Sequence, residues 1–433
     1  MKLNRTRAVP AAARPRRAET FNAAPPAPLI ALLLLLAAAT AASAQAPPPP
    51  YEAPDRLVVR SQALGEERVI LVRTPPGYAA RANERFPVLY MTDGDAHILH
   101  TSGTVAFLAR NARMPEMIVV GVTNTDRTRD LTPTRVEQLP GNPNARFPTS
   151  GGADKFLRFI EAELIPLVES KYRTQPYRAL AGHSLGGLFA VHTLITKPEL
   201  FNSYIAVSPS LQWDNFALID RVKEFFKARR ELNRTLFTSL GDEPGDIGDA
   251  FGLFKEVLQK QQAKGFVWEA ARYDDEDHGS VVLRSHYAGL RKAFDGWQFP
   301  RDPATGAVAG GLRGVEEHYR KLSERLGYAV SPPEALLNQV GYQLLAQGSA
   351  EEAVAAFKLN VERYPGSANV YDSLGEAYER AGKPELALPN YEKAYALARQ
   401  TADPNVNVFK TNFDRVSAQV KPGAGAGAAG AKK

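Results

Sequence analysis

Residues Tyr177–Phe189 read YRALAGHSLGGLF, and this stretch decides how the rest of the chain is understood. Ala179, Leu180 and Ala181 form a short apolar run of the kind that makes a buried strand. The run stops at Gly182-His183-Ser184-Leu185-Gly186, a G-x-S-x-G, with Gly187 directly after it. Leu188, Phe189, Ala190 and Val191 then begin an apolar helix. Strand, tight turn and helix form the context in which G-x-S-x-G is a nucleophile elbow. The turn lifts the Ser184 hydroxyl clear of the sheet, and glycines on either side let strand and helix approach closely. The start of the helix aims backbone N–H groups at the same spot, which suits a developing negative charge.

The flanking segments repeat the alternation of strand and helix. Arg56–Gln62 and Arg68–Arg73 are strand-like runs around Gly65 and predict an antiparallel hairpin. Phe86–Met91, Met117–Val122, Tyr204–Val207, Thr235–Leu240 and Phe266–Tyr273 read as further strands, and most are solid apolar runs. Helical patterns fall near Ala153–Tyr172, Trp213–Arg229, Asp249–Ala263 and Val281–Trp297. Such a pattern predicts an α/β fold, a mostly parallel sheet with helices on both faces. That is an α/β-hydrolase architecture, expected over residues 56–300.

At 433 residues the chain exceeds one ordinary domain. Residues 1–27 hold six basic side chains against Glu19, followed by the apolar run Leu29–Ala39 and then Ala42-Ser43-Ala44. This is the pattern of a secretory signal peptide over residues 1–44, cut after Ala44, and it predicts a periplasmic or secreted protein with no stable membrane span. Residues 1–44 carry a net +5 of the formal +6, so the remaining chain is near neutral. Nucleic acid is therefore not an expected partner. The chain has no cysteine, which excludes disulfides, thiolate catalysis and Cys-ligated metal centres. A Pro-rich linker is expected over 45–55.

Beyond the hydrolase, residues 301–333 read as a loose linker with a bridging helix, Val315–Leu326. Gly341 and Gly375, Gly348 and Gly382, Ala353 and Ala387, and Phe357 and Tyr391 are each 34 residues apart. That period and these small residues are the tetratricopeptide signature, and residues 334–400 hold two repeats. Two are few for a free-standing solenoid, so they are expected to lean on the bridging helix or the hydrolase. The repeats offer a place for a protein or peptide partner; the alternative is a structural cap. Residues 401–433 are a C-terminal segment with a low-complexity tail from Lys421.

A serine hydroxyl needs a base beside it, and in α/β-hydrolases the chain order is Ser, acid, His. Of the seven histidines, only His278 lies in a loop just after the last strand, where the base belongs. The acid is expected after the preceding strand, where Asp242, Glu243, Asp246 and Asp249 stand, and Glu243 is preferred over Asp242. Asp274, Asp275, Glu276 and Asp277 are alternatives close to His278. The oxyanion donors are expected to be the backbone N–H of Leu185 and that of Asp95 or Gly94, in the loop after Phe86–Met91. Arg129 is a candidate substrate contact for an anionic or catecholate group, or it pairs with Asp130 to fix its loop. Trp213 either walls an acyl pocket or is packing. No metal or cofactor is required.

The segments PVLYMTDGDAH, GVTNTDRTRDLTPT, AGHSLGGLFAVHTL, IAVSPSLQWDN and EDHGSVV together resemble the putative-esterase family of α/β-hydrolases. That family holds enterochelin (ferric siderophore) esterases, S-formylglutathione hydrolase, feruloyl esterases and mycolyltransferases. The resemblance covers about Leu57 to Trp297 and is greatest to the siderophore-esterase branch, in which tetratricopeptide repeats sometimes follow the hydrolase. It implies Ser184 as nucleophile, His278 as base and a Gly-x-Glu acid at Glu243, although Pro244 departs from the usual pattern. It implies a small-molecule ester substrate of siderophore type. Acylated sugars, transfer of the acyl group to another alcohol, and a non-enzymatic scaffold are the other readings.

Overall fold

The structure, a computed structural model, describes residues 53–138 and 146–420. The expected signal peptide, most of the Pro-rich linker and the low-complexity tail lie outside the described residues. The strands are β1 (Asp55–Ser61), β2 (Glu66–Arg73), β3 (Phe86–Met91), β4 (Ile118–Val122), β5 (Thr174–His183), β6 (Ser203–Val207), β7 (Thr235–Leu240) and β8 (Val267–Arg272). They form one sheet in the order β1-β2-β4-β3-β5-β6-β7-β8. β1 and β2 make the expected hairpin and β2 pairs antiparallel with β4. From β4 to β8 every pairing is parallel.

The central strands read as solid apolar runs because both faces are covered. Val88, Tyr90 and Leu180 point into one core, with the helices α3 (Ala153–Phe159), α4 (Ile165–Lys171), α5 (Leu185–Thr196), α6 (Ala217–Ala228) and α7 (Asp246–Lys260). The alternate residues Leu89, Met91, Ala179 and Ala181 point into the other, with α1 (Gly94–Arg110) and α8 (Val281–Ala293). Each fully buried aliphatic or Phe side chain contributes about 1.5–3 kcal/mol relative to exposure, so the sheet is fixed in register from both sides. Because β3 to β8 run the same way, the loops after them meet at one edge. That edge carries Asp93, Asn124, Ser184, Ser208, Glu243 and His278. A short helix, α2 (Arg127–Leu131), also lies there.

Several elements differ from the sequence expectation. The segment after β3, read as a loop, is the start of the 17-residue helix α1. The helix expected over Ala153–Tyr172 contains a π-helical turn at Ile160–Leu164 between α3 and α4. The bridging helix α9 starts earlier, at Gly311, and runs to Leu326. Residues 406–420, expected only as a C-terminal segment, form the helix α14 (Val406–Val420).

The repeats are α10 (Glu334–Ala346), α11 (Ala350–Arg363), α12 (Ala368–Arg380) and α13 (Pro384–Thr401). Gly348 and Gly382 share a left-handed backbone, with φ of 78° and 71°, in the corresponding turn of each repeat. Gly341 and Gly375 sit under the rings of Phe357 and Tyr391, where a Cβ would collide. Val315, Tyr319, Leu322 and Leu326 of α9 join Phe294 of the hydrolase and Leu336, Leu337 and Val340 of α10 in one continuous core. The repeats therefore lean on the bridging helix, as expected. α14 caps them, with Arg415 donating to both Glu379 oxygens at 2.5 and 2.7 Å and Asn412 donating to Asp372 at 2.9 Å. Among the described residues no helix is long and apolar enough to cross a membrane.

Candidate active site

Ser184 stands between β5 and α5 with φ 60° and ψ −116°. A non-glycine residue in such a region costs about 1–3 kcal/mol, so its surroundings must hold it there. Its N–H donates to the Val207 carbonyl at 2.9 Å, and its own carbonyl accepts from Leu188 and Ser210 N–H at 2.9 and 3.1 Å. The neighbouring glycines are required by contact. A Cβ on Gly182 would run into the Gly186 carbonyl, one on Gly186 into Thr92 Oγ1, and one on Gly187 to 2.9 Å from Pro209 Cα.

His278 follows β8, as expected, and its ring is about half-exposed. Its Nδ1 lies 2.5 Å from Glu243 Oε2. Glu243 is buried, and its other oxygen accepts from the Ser208 hydroxyl at 2.6 Å and the Gly241 N–H at 3.1 Å. Burial alone would raise this carboxyl. The bonds from His278 and Ser208 outweigh burial and hold it below the ordinary glutamate value.

The other acids point elsewhere. Asp242 and Asp274 face Arg272, Asp275 faces Arg284, and Glu276 accepts from the Ser280 hydroxyl. Asp277 accepts from Gly279 and Ser280 N–H at 2.8 and 2.7 Å. Of the carboxylates weighed from sequence, Glu243 is the one bonded to the imidazole.

Among the described residues the Ser184 hydroxyl pairs with Ser210 Oγ at 3.2 Å rather than with His278. Rotation about χ1 would move Oγ without disturbing the backbone.

Two helix starts meet beside Ser184. The Leu185 N–H begins α5, and the Gly94 and Asp95 N–H groups begin α1. First-turn N–H groups have no partner within their own helix, and the helix dipoles favour negative charge there. Ala96 and His97 N–H are already bonded to the Asp93 carbonyl. The close contact of Gly186 with Thr92 and Asp93 brings the two helix starts together. The Asp95 side chain is turned to Asn124, accepting from its N–H at 3.3 Å and its amide at 3.2 Å.

Sequence reasoning missed the groups that hold this corner. Asp93 is buried and left-handed, with φ 54°. It accepts from Arg127 Nε and Nη2 at 2.6 and 3.2 Å and from the Asn124 amide at 2.8 Å. Burial would raise its carboxyl, yet Arg127 and Asn124 keep it below the usual aspartate value. Arg127 Nη2 also donates to the His183 carbonyl at 3.1 Å, tying the α1 loop to the elbow. The pairing of D-G-D after β3 with an arginine after β4 was the available signal.

Arg129 and Trp213, each expected either as a substrate contact or as a structural residue, both have partners within the protein. Arg129 donates to both oxygens of Glu66 at 3.0 and 2.6 Å and to Asp130 at 2.8 Å. Its guanidinium is engaged in fixing the loop, in a network with the buried Arg68, and Glu66 is lowered to about 2 chiefly by its bond to Arg129. Trp213 is buried against Phe147, ring centroids 5.3 Å apart, and its indole N–H reaches the Thr134 carbonyl at 3.3 Å. These contacts tie it to the loop after β4.

Four further imidazoles lie behind the site. His183 is 4.6 Å from His278 between ring centroids, and His97 is 5.7 Å from His183. His100 and His286 lie 5.1 and 6.1 Å from His97. Burial depresses His97, His100 and His286, and takes His183 down to about 4. Among the described residues no three of these groups are arranged to hold a metal ion.

The family model described as "Putative esterase" matches residues 61–283, just over half the chain, and a tetratricopeptide-repeat model matches 333–400. Ferri-bacillibactin esterase BesA of Bacillus subtilis is 34% identical over 48% of this chain and 77% of its own length. The siderophore enterobactin esterase of Emericella nidulans is 32% identical over 45% of this chain and 77% of its own. Among solved structures, an IroE-like serine hydrolase from Shewanella oneidensis is 31% identical. It covers 71% of this chain and 99% of itself, with a TM-score of 0.62.

Proposed function

This chain belongs to the putative-esterase family, and from that premise we propose that it is a serine esterase cleaving carboxylic esters through an acyl-enzyme on Ser184. The observation that carries the reading is the 2.5 Å bond between Glu243 and His278 Nδ1, at the same sheet edge as the strained Ser184. Glu243 keeps the ring proton on Nδ1, so Nε2 is free to accept. Ser184 Oγ attacks the ester carbonyl and His278 Nε2 takes its proton. The negative charge that forms on the carbonyl oxygen faces the N–H groups of Leu185 and of Asp95 or Gly94. His278 then protonates the departing alcohol. A water gives a proton to His278 as its oxygen attacks the acyl carbon, the Ser184 Oγ–acyl bond breaks, and His278 returns the proton to Ser184 Oγ as the acid leaves.

The relatives that are siderophore esterases favour a siderophore-type ester as substrate. The leader pattern in residues 1–44 favours export to the periplasm or the medium. The repeats share a core with the hydrolase, which favours a structural extension over an independent docking module.

The test is hydrolysis of p-nitrophenyl esters, ferri-bacillibactin and enterobactin by the full chain and by Ser184→Ala. The reading requires turnover of a siderophore ester that the variant loses. Turnover of simple esters alone would remove the siderophore assignment, and equal activity in the variant would remove the serine mechanism.

A further inference from the structure

The residue between Gly182 and Ser184 is unspecified by the elbow motif, since the turn itself needs only the glycines and the serine. Here it is His183, and its side chain is partnered. Its Nε2 lies 2.6 Å from the backbone carbonyl oxygen of His278. A carbonyl only accepts, so Nε2 carries the proton and His183 is the donor. The two rings lie 4.6 Å apart at their centroids, inclined by 45°. On its other side the His183 carbonyl accepts from Arg127, which also holds Asp93 at the head of α1. One residue thus touches three corners: it is bonded covalently to the nucleophile, by hydrogen bond to the loop of the base, and through Arg127 to the oxyanion loop.

We propose that His183 is a positioning residue that fixes the backbone of His278, so that the base is held at two points, at Nδ1 by Glu243 and at its carbonyl by His183. This rests on the serine-esterase reading above. The loop from Asp274 to Ser280 is mostly exposed, and its acids face arginines and N–H groups rather than the core. The loop is held before His278 by the Asp242 N–H on the Glu276 carbonyl at 2.7 Å and after it by the Val281 N–H on the Asp277 carbonyl at 3.1 Å, while the Glu243 bond sets the ring's direction. The His183 bond is the one that falls on the backbone of His278 itself. Acylation makes His278 positive, so a charged neighbour 4.6 Å away would oppose it. Burial, with a further contribution from His278, lowers His183 to about 4, which keeps it neutral at pH 7.

The experiment uses the full chain, wild type, His183→Leu and His183→Gln. Leucine fills space without a donor. The glutamine amide nitrogen stands the same number of bonds from Cα as Nε2 and can donate to the same carbonyl. Misplacement of a catalytic group by about 1 Å costs on the order of 10²-fold. The expected result for His183→Leu is therefore a fall in kcat of about 10- to 100-fold with KM changed less than about twofold, and for His183→Gln recovery to within about threefold of wild type. Wild-type kcat in His183→Leu, or an equal fall in both variants, overturns the proposal. A second measurement needs no variant: the nitrogen and proton NMR signals of His183 at pH 7 should be those of the neutral Nε2–H form. The Nδ1–H form or a protonated ring overturns the proposal even if His183→Leu fails to fold. An inactive wild type with the Nε2–H form of His183 would sink the esterase reading while leaving the hydrogen bond in place.

Discussion

Replacing Glu243 by glutamine changes one atom and should nearly abolish turnover. Glu243 accepts three hydrogen bonds, from His278 Nδ1 on one oxygen and from Ser208 Oγ and Gly241 N–H on the other. A glutamine side chain has one acceptor oxygen and one NH₂ donor. The oxygen belongs on the side of Ser208 and Gly241, because the Gly241 N–H can only donate and an NH₂ turned toward it would leave it unmet at about 1–3 kcal/mol. That choice turns the NH₂ toward His278. Nδ1 must then accept, the ring proton moves to Nε2, and the nitrogen that should take the Ser184 proton is blocked. The same wrong-tautomer substitution in a serine protease triad lowers kcat by about 10⁴-fold, and a loss of that order is expected here. The assay is steady-state hydrolysis of a p-nitrophenyl ester, with Asp242→Asn as control, since Asp242 faces Arg272. A Glu243→Gln variant within tenfold of wild type, or one matched by Asp242→Asn, would refute the reasoning.

Three further outcomes follow from the packing and the buried histidines. His183 is held near 4 and His286 well below the ordinary 6.5, both chiefly by burial. Below pH 6.5 the unfolded chain binds more protons than the folded one, so stability is full above 6.5 and falls as pH drops toward 4. Each such group contributes a slope of about 1.4 kcal/mol per pH unit. Melting temperatures from pH 7.5 to 5 should fall, and less steeply in His286→Phe; a flat profile would contradict this. Trp213→Phe should lose about 0.5–1.5 kcal/mol with its bond to Thr134 and leave KM unchanged, whereas a raised KM would restore Trp213 as a pocket wall. In Gly375→Ala the new methyl meets the Tyr391 ring at 2.8 Å. Overpacking of that kind costs about 1–3 kcal/mol, and a lowered melting temperature checks it.

The chain order of strands and the elbow were legible because buried parallel strands are written as unbroken apolar runs, and because three glycines at the turn are forced by contact. His278 was legible from its place after the last strand. Glu243 was preferred from its place and from the Gly-x-Glu resemblance, and Ser208, which completes its bonding, carried no local signal. α1 was missed because GDAHILHTSGTVAFLAR places Thr101 and Thr104 among its buried residues and breaks the apolar periodicity. Arg129 and Trp213 illustrate the converse limit. Sequence shows that an arginine or tryptophan lies on the active-site side, but not that Glu66, 63 positions earlier, and Thr134 satisfy their polar groups. The same long-range pairing hides Asp93, Arg127 and His183. The 34-residue period revealed the repeats, while α14 has Phe409 and Val416 where the period would put glycines and left no such trace.

The central claim is that Ser184 carries the acyl group. Its most direct test is reaction of the full chain with a fluorophosphonate, followed by mass spectrometric mapping of the modified peptide. The account predicts one stoichiometric adduct on Ser184, formed slowly in Glu243→Gln and absent in Ser184→Ala. An adduct on another serine such as Ser210, or ester hydrolysis that persists unchanged in Ser184→Ala, would contradict it.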